Sequence, residues 1–241
     1  MARGKKLLWV LVALFLLSDV LHASERNRKY SLALKGTYTS TSKLFPTPDA
    51  IQELQRTRSI EINDIFGYGV EIRRQLGDES IEVGVGVEYI HTTKTGLAAV
   101  PGGSPTLRLP VADGYRFVPL EFTGYFIIPF SSETVKFFMG GGMGFYYGDR
   151  IYQVVNRTAQ TVENRVAFGI HVLTGLDYFI NRSFSVRGEV KFRDPQFEMT
   201  SKFTSTNVEY GGRTYRLSQQ PFDSKVNLDG LVVTIGAVLN F

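Results

Sequence analysis

Beyond residue 24 the chain alternates apolar and polar residues with a period of two, and no segment there sustains a helical period. The alternation predicts strands over 30–40, 66–76, 81–91, 116–130, 135–148, 164–179, 184–194 and 226–241. Three connections are tight turns: Gly77-Asp78-Glu79-Ser80, Ser131-Ser132-Glu133-Thr134 and Ile180-Asn181-Arg182-Ser183. The other four, 41–65, 92–115, 149–163 and 195–225, read as long loops that alternate with the turns. An up-and-down antiparallel meander, trimmed at one end and elaborated at the other, gives that pattern.

The faces of the strands decide what kind of meander this is. Phe66, Tyr68, Val70, Ile72 and Leu76 stand opposite Gly67, Gly69, Glu71, Arg73 and Gln75. Ile81, Val83, Val85, Val87 and Tyr89 stand opposite Glu82, Gly84, Gly86 and Glu88. Val118, Leu120, Phe122, Phe126, Ile128 and Phe130 oppose Pro119, Glu121, Thr123 and Tyr125, and Phe184, Val186, Val190 and Phe192 oppose Ser185, Arg187, Glu189, Lys191 and Arg193. Turning the apolar faces inward would crowd a lumen with aliphatics and aromatics and leave glycine outside. Turning them outward to lipid encloses the charges among glycines that leave them room. Lipid also requires every backbone donor and acceptor to be satisfied, which a closed sheet achieves. The expected fold is therefore all-β, an eight-stranded antiparallel up-and-down transmembrane β-barrel. Tyr38, Tyr68, Tyr89 and Tyr147 would girdle the loop side, and Tyr30, Phe130, Tyr178 and Phe241 the turn side.

The N-terminus changes the picture of where this barrel resides. Arg3, Lys5 and Lys6 precede an apolar run from Leu7 to Leu17, and Leu21-His22-Ala23 offers a signal-peptidase site. Residues 1–23 read as a cleaved signal peptide, with cleavage before Ser24, and 24–241 as one barrel domain. The leader holds Arg3, Lys5, Lys6 and Asp19, so its removal lowers the formal charge from +4 to +2. That balance argues against nucleic acid as a partner. Cysteine is absent, which removes disulfides and thiolate metal sites. With few histidines as well, no metal or other cofactor is expected.

The last strand alternates Leu231, Val233, Ile235, Ala237, Leu239 and Phe241 with Val232, Thr234, Gly236, Val238 and Asn240. This ending resembles the C-terminal assembly signal of outer-membrane barrels. The stretch Phe168 to Phe192, with Gly169-Ile170-His171-Val172, Gly175-Leu176-Asp177-Tyr178-Phe179 and Arg187-Gly188-Glu189-Val190-Lys191-Phe192, is similar to the closing hairpin of OmpA/OmpX-like barrel domains. The resemblance covers essentially the whole mature chain and implies an integral protein of the Gram-negative cell outer membrane. Its partners would be outer-membrane lipids and lipopolysaccharide, the barrel assembly machinery acting on the strand that ends at Phe241, and an extracellular ligand of the loops. The role implied is structural or surface-interactive. Two alternatives are passage of a small apolar molecule through a narrow barrel, and a lipid A-modifying enzyme.

Candidate chemistry is sparse, and no catalytic residue is assigned. Lys35, Glu71, Arg73, Glu82, Glu88, Glu121, Lys136, His171, Asp177, Arg187, Glu189, Lys191 and Arg193 point inward, either as an ion path or as a salt-bridge network filling the lumen. Lipid A deacylases on this frame carry a histidine and a serine two residues apart on the lipid-facing side. Here His91-Thr92-Thr93 has threonine where serine belongs, and His171-Val172-Leu173 has no hydroxyl, so an enzyme is not expected. Gly140-Gly141-Gly142-Met143-Gly144 reads as close backbone packing rather than a phosphate loop. Asp149 and Asp223 lie in the loops without a calcium-loop pattern, and Arg56, Arg58, Arg150, Arg157, Lys202, Arg213, Arg216 and Lys225 read as loop charges. Pro119 predicts a bulge near the external rim. Gly211-Gly212 predicts a primed turn joining 208–210 to 213–215, and Pro48 to Leu54 fits either a short helix capped by Thr47 or an irregular segment.

Overall fold

A computed structural model describes residues 29–77, 80–99, 108–205 and 207–241, without the side chains of residues 98 and 99. The leader expected over residues 1–23 and its cleavage before Ser24 lie outside the described residues, as do Asp78 and Glu79 of the first turn. The chain is nearly all strand: β1 (Tyr30–Phe45), β2 (Ile60–Leu76), β3 (Ile81–Ala99), β4 (Arg108–Ile127), β5 (Val135–Val154), β6 (Arg157–Asn164) and β7 (Ala167–Phe179). There follow β8 (Phe184–Arg193), β9 (Gln196–Phe203), β10 (Asn207–Tyr210), β11 (Arg213–Arg216), β12 (Phe222–Asn227) and β13 (Leu231–Asn240).

All pairings are antiparallel. β1 to β5 each pair with the next; β5 pairs with β7, β7 with β8, β8 with β13, and β13 with β1. This circuit of hydrogen bonds returns to its start. A second circuit shares β1 to β5 and runs through β6, β9 and β12, which returns to β1 at Lys43–Phe45. β6 leads into β7 across 165–166, β8 into β9 across Asp194-Pro195, and β12 into β13 across 228–230. The second circuit therefore continues the first along β1–β5, at the end away from the tight turns. Tyr30 and Phe241 exchange backbone hydrogen bonds of 2.9 Å in both directions, so the first circuit closes at the very ends of the described chain.

Around the first circuit the apolar faces point outward. Phe66, Tyr68, Ile72, Phe122, Ile170, Phe192 and Ile235 are exposed, while Lys35, Glu71, Arg73, Glu121, Arg187 and Glu189 are buried. Aromatic pairs mark the edges of this apolar band: Tyr38 with Phe66 and Tyr68 with Tyr89 at the far edge, Tyr30 with Phe241 and Phe130 with Phe137 at the turn edge. The glycine run of β5 behaves as read. A side chain at Gly142 would strike the backbone of Phe122, and one at Gly140 or Gly144 would meet Tyr125 or Tyr146 inside.

The long loops are a correction. Much of 41–65, 92–115, 149–163 and 195–225 is strand, because the rule linking side-chain polarity to face inverts there. In the second circuit Leu44, Ile62, Ile90, Tyr115, Phe117, Phe197, Met199 and Val226 turn inward and pack together, and Glu61, Lys94, Arg116, Glu198 and Lys202 face outward. Burial also changes parity between β1 and β2, from Thr37 and Thr39 to Ser42 and Leu44, and from Glu71, Gly69 and Ile65 to Ile62. Asp64 takes a left-handed φ of 56° at that level, a conformation that Asp tolerates better than most residues, and its carboxylate accepts from the Tyr38 hydroxyl.

Three smaller expectations are settled. Pro119 makes no bulge: β3 and β4 keep one register from Val87↔Leu120 to Ile90↔Phe117, and the missing donor merely leaves the intervening positions out of the ladder. The helix of the first connection is a single turn, Glu53–Arg56, that starts later than Pro48 and has no side-chain cap; Thr47 instead donates to the Gln55 carbonyl. Gly211 and Gly212 both have positive φ, as a primed turn requires, and β10–β11 is a separate ribbon.

Candidate functional site: the filled interior

The interior is stacked in layers. Nearest the turns, Lys35 lies 2.5 Å from Glu71 and 2.8 Å from Glu189, and Arg73 pairs with the same two carboxylates. Arg187 grips Asp177 with both ends of its guanidinium, at 2.7 and 2.8 Å, and reaches Glu71 at 2.9 Å. The Tyr125 hydroxyl donates to Glu71, and its ring lies 3.5 Å under the Arg73 guanidinium, with Phe138 on the same cation. Charges of opposite sign alternate in space, so each of these buried ions faces at least one of opposite sign.

A second ionic layer follows. Lys191 contacts Glu88 at 3.1 Å and Glu121 at 2.5 Å; Arg193 contacts the same pair at 3.0 and 3.1 Å. Strand β8 supplies both cations at i and i+2, and with Arg187 and Glu189 it forms an inward ladder on one face. Tyr146 donates to Glu121, and His171 is hydrogen-bonded to Thr123 at 2.8 Å through Nε2. His171 is therefore an interior residue, turned away from the apolar outer face. His91 lies exposed beyond the apolar band. Lys136 rests over the Phe179 ring at the turn end, and Glu82 only grazes Arg73 at 4.0 Å.

Above these layers the interior becomes apolar. Phe117 stacks on both Tyr146 and Phe197, and Tyr115 meets Phe197 edge-on while donating to the Ser42 hydroxyl at 2.8 Å. Burial pushes the Tyr115 phenol up to about 12. Higher still, Arg150 binds Asp113 in bidentate fashion at 2.9 and 2.7 Å, flanked by the Tyr152 and Phe222 rings. The reading of Arg150 as a loop charge is thus corrected: it is a buried member of β5. Leu109, Val154, Phe203, Val208 and Leu217 close the far end, with the β10–β11 ribbon contributing Val208. Sequence reasoning placed the ionic residues that fill the first circuit on the inward face, but missed the Asp113–Arg150 pair and the apolar layers.

The two acidic loop candidates have partners of another kind. Asp149 pairs with Arg116 at 2.6 Å and accepts from Asn164, while Asp223 accepts from Thr200. Among the described residues no cluster of His, Cys, Asp and Glu is arranged to hold a metal ion.

No protein-family model matches the chain, and no curated protein matches it. Solved structures similar to it include Neisserial surface protein A, at 9% identity and a TM-score of 0.45 over 88% of this chain and 97% of that one. The attachment invasion locus protein Ail of Yersinia pestis is 12% identical, with a TM-score of 0.43 over 89% and 100%. Outer membrane protein W of E. coli is 17% identical, with a TM-score of 0.37 over 90% and 100%. Likeness at this level carries no statement about what the chain does.

Proposed function

We propose that the chain is an integral outer-membrane protein of the cell surface, an eight-stranded up-and-down β-barrel, related to outer-membrane barrels of the OmpA/OmpX-like kind. Each circuit of pairings has eight members, which fits that count. The observation that carries the reading is the inversion of polarity along the axis. The outward apolar stretch, such as Val118 to Phe126 in β4, has the length of about 9–11 residues that a tilted strand needs to cross a bilayer. Beyond it the outside turns polar and the inside apolar, as suits a wall standing in water. The protein so placed is a barrel that spans the membrane and rises from it as a rigid turret.

Its role is structural or surface-interactive: the turret presents the β10–β11 ribbon and the strand tips to the exterior. Export through a signal peptide cleaved before Ser24, periplasmic termini, lipopolysaccharide around the rim and insertion by the assembly machinery through Leu231–Phe241 belong to the same proposal. The layered ionic and apolar filling weighs against passage of a solute, and the interior position of His171 weighs against a lipid-modifying enzyme. The test is fractionation with heat-modifiability on a gel. The protein should be found in the outer membrane and migrate differently before and after boiling, with β10–β11 open to protease on intact cells. Recovery as a soluble periplasmic protein whose mobility does not change on heating would refute the proposal.

A further inference from the structure

The outward face of the first circuit is notched, and one of its grooves ends at a charge. A groove of about 620 Å³ crosses β2 to β5 on the exterior, with Tyr30 and Arg74 at one end and Val83, Phe122, Gly124, Gly141 and Met143 along it. Its floor is a glycine pair, since Gly124 and Gly141 are directly opposite on β4 and β5. The fold leaves more room for a side chain at these two glycines, Gly124 above all, than at Gly140, Gly142 and Gly144. A Cβ at Gly124 would come no closer than 3.9 Å to its nearest neighbour, and one at Gly141 would meet the His171 carbonyl at 3.3 Å and Val172 at 3.7 Å. The space they leave lies outside the wall, where only lipid would stand.

Arg74 supplies charge at the end of this groove. It faces outward on β2 among Tyr68, Val70, Ile72 and Leu76, and among the described residues it is the one charged side chain on the apolar outer band. No described carboxylate pairs with it; its guanidinium lies over the Tyr30 ring, 5.6 Å from the centroid. Lys29, exposed and joined to this end of β2 by the Gln75 N–H to Lys29 carbonyl bond of 2.8 Å, adds a second cation. Arg74 precedes the first tight turn by three residues, at the depth where headgroups meet the hydrocarbon.

We propose that this groove holds one anionic glycerophospholipid of the leaflet on the turn side, its phosphate at Arg74 and Lys29 and one acyl chain laid over Gly124 and Gly141. The inference rests on the outer-membrane reading, which makes this face a lipid-facing one. A cation paired with no described carboxylate at the mouth of an apolar groove suits a lipid whose head is negative and whose tail is long. Neither part alone would select such a ligand.

The test is native mass spectrometry of the folded protein in detergent containing equimolar phosphatidylglycerol and phosphatidylcholine with identical chains. The wild type should retain one phosphatidylglycerol in preference. Arg74→Gln should lower that preference about fivefold, and Arg74→Lys should keep most of it. Gly124→Leu fills the groove without touching the interior and should lose the retained lipid whatever its head. Equal retention of the two lipids by the wild type, or unchanged retention in Gly124→Leu, would overturn the inference. Heat-modifiability and fractionation of the same variants separate the two levels: a barrel in the outer membrane without lipid preference removes only this site, whereas a chain outside the membrane removes both.

Discussion

Glu71 sits at the junction of the ionic floor, in contact with Lys35, Arg73, Arg187 and the Tyr125 hydroxyl. Its removal leaves three buried cations to share the carboxylates of Glu189 and Asp177, so Glu71→Ala should destabilise the folded state by about 3–5 kcal/mol, read as a lower urea midpoint in vesicles. A swap such as Lys191→Ala, which leaves Glu88 and Glu121 with Arg193, should cost less. Tyr115 gives a pH signature higher up the interior. Its phenol is held protonated by burial, so the stability it contributes is present below its ordinary value of 10.0 and is lost as the pH rises toward about 12. Thermal unfolding should fall across that window, and Tyr115→Phe should flatten the fall. A drop of the same size in the variant would assign the effect to other groups.

At the scale of elements, the two circuits should fail separately. Phe197 on β9 packs against Phe117 and Tyr115, and Phe197→Ala should cost about 3–5 kcal/mol through the cavity it leaves. The damage should appear as protease cleavage within 196–227, while the first circuit keeps its heat-modifiable mobility. These elements also show what could be read in advance. Strands whose outer face is greasy and whose inner face is charged declare themselves, since Glu189 and Lys191 opposite Val190 and Phe192 admit one placement in lipid. The extensions do not. Along β4 the inward face runs from Tyr125, Thr123 and Glu121 to Phe117, Tyr115 and Leu109, so a rule that assigns apolar faces to lipid ends the strand at residue 116. The parity change near Asp64 hides the continuation of β1 and β2 for a second reason. Arg150 was legible only with Asp113 beside it, a pairing set by the β4–β5 register rather than by local pattern.

At the scale of the whole molecule, the stack of layers predicts a closed pore. Planar bilayers holding the purified protein should show no conductance steps, and the double variant Lys191→Ala, Arg193→Ala should remain silent because Phe117, Tyr146 and Phe197 still fill the next layer. The meeting of Tyr30 and Phe241 has a consequence of its own. Their reciprocal backbone bonds and stacked rings put the two ends of the described chain within reach of a short peptide bridge. A circular permutant, bridged there and reopened in the Ser131–Thr134 turn, would preserve every rung while moving Leu231–Phe241 from terminus to middle. Such a molecule should still regain its native form in vesicles, yet go astray in the living cell if the final strand is also an address label.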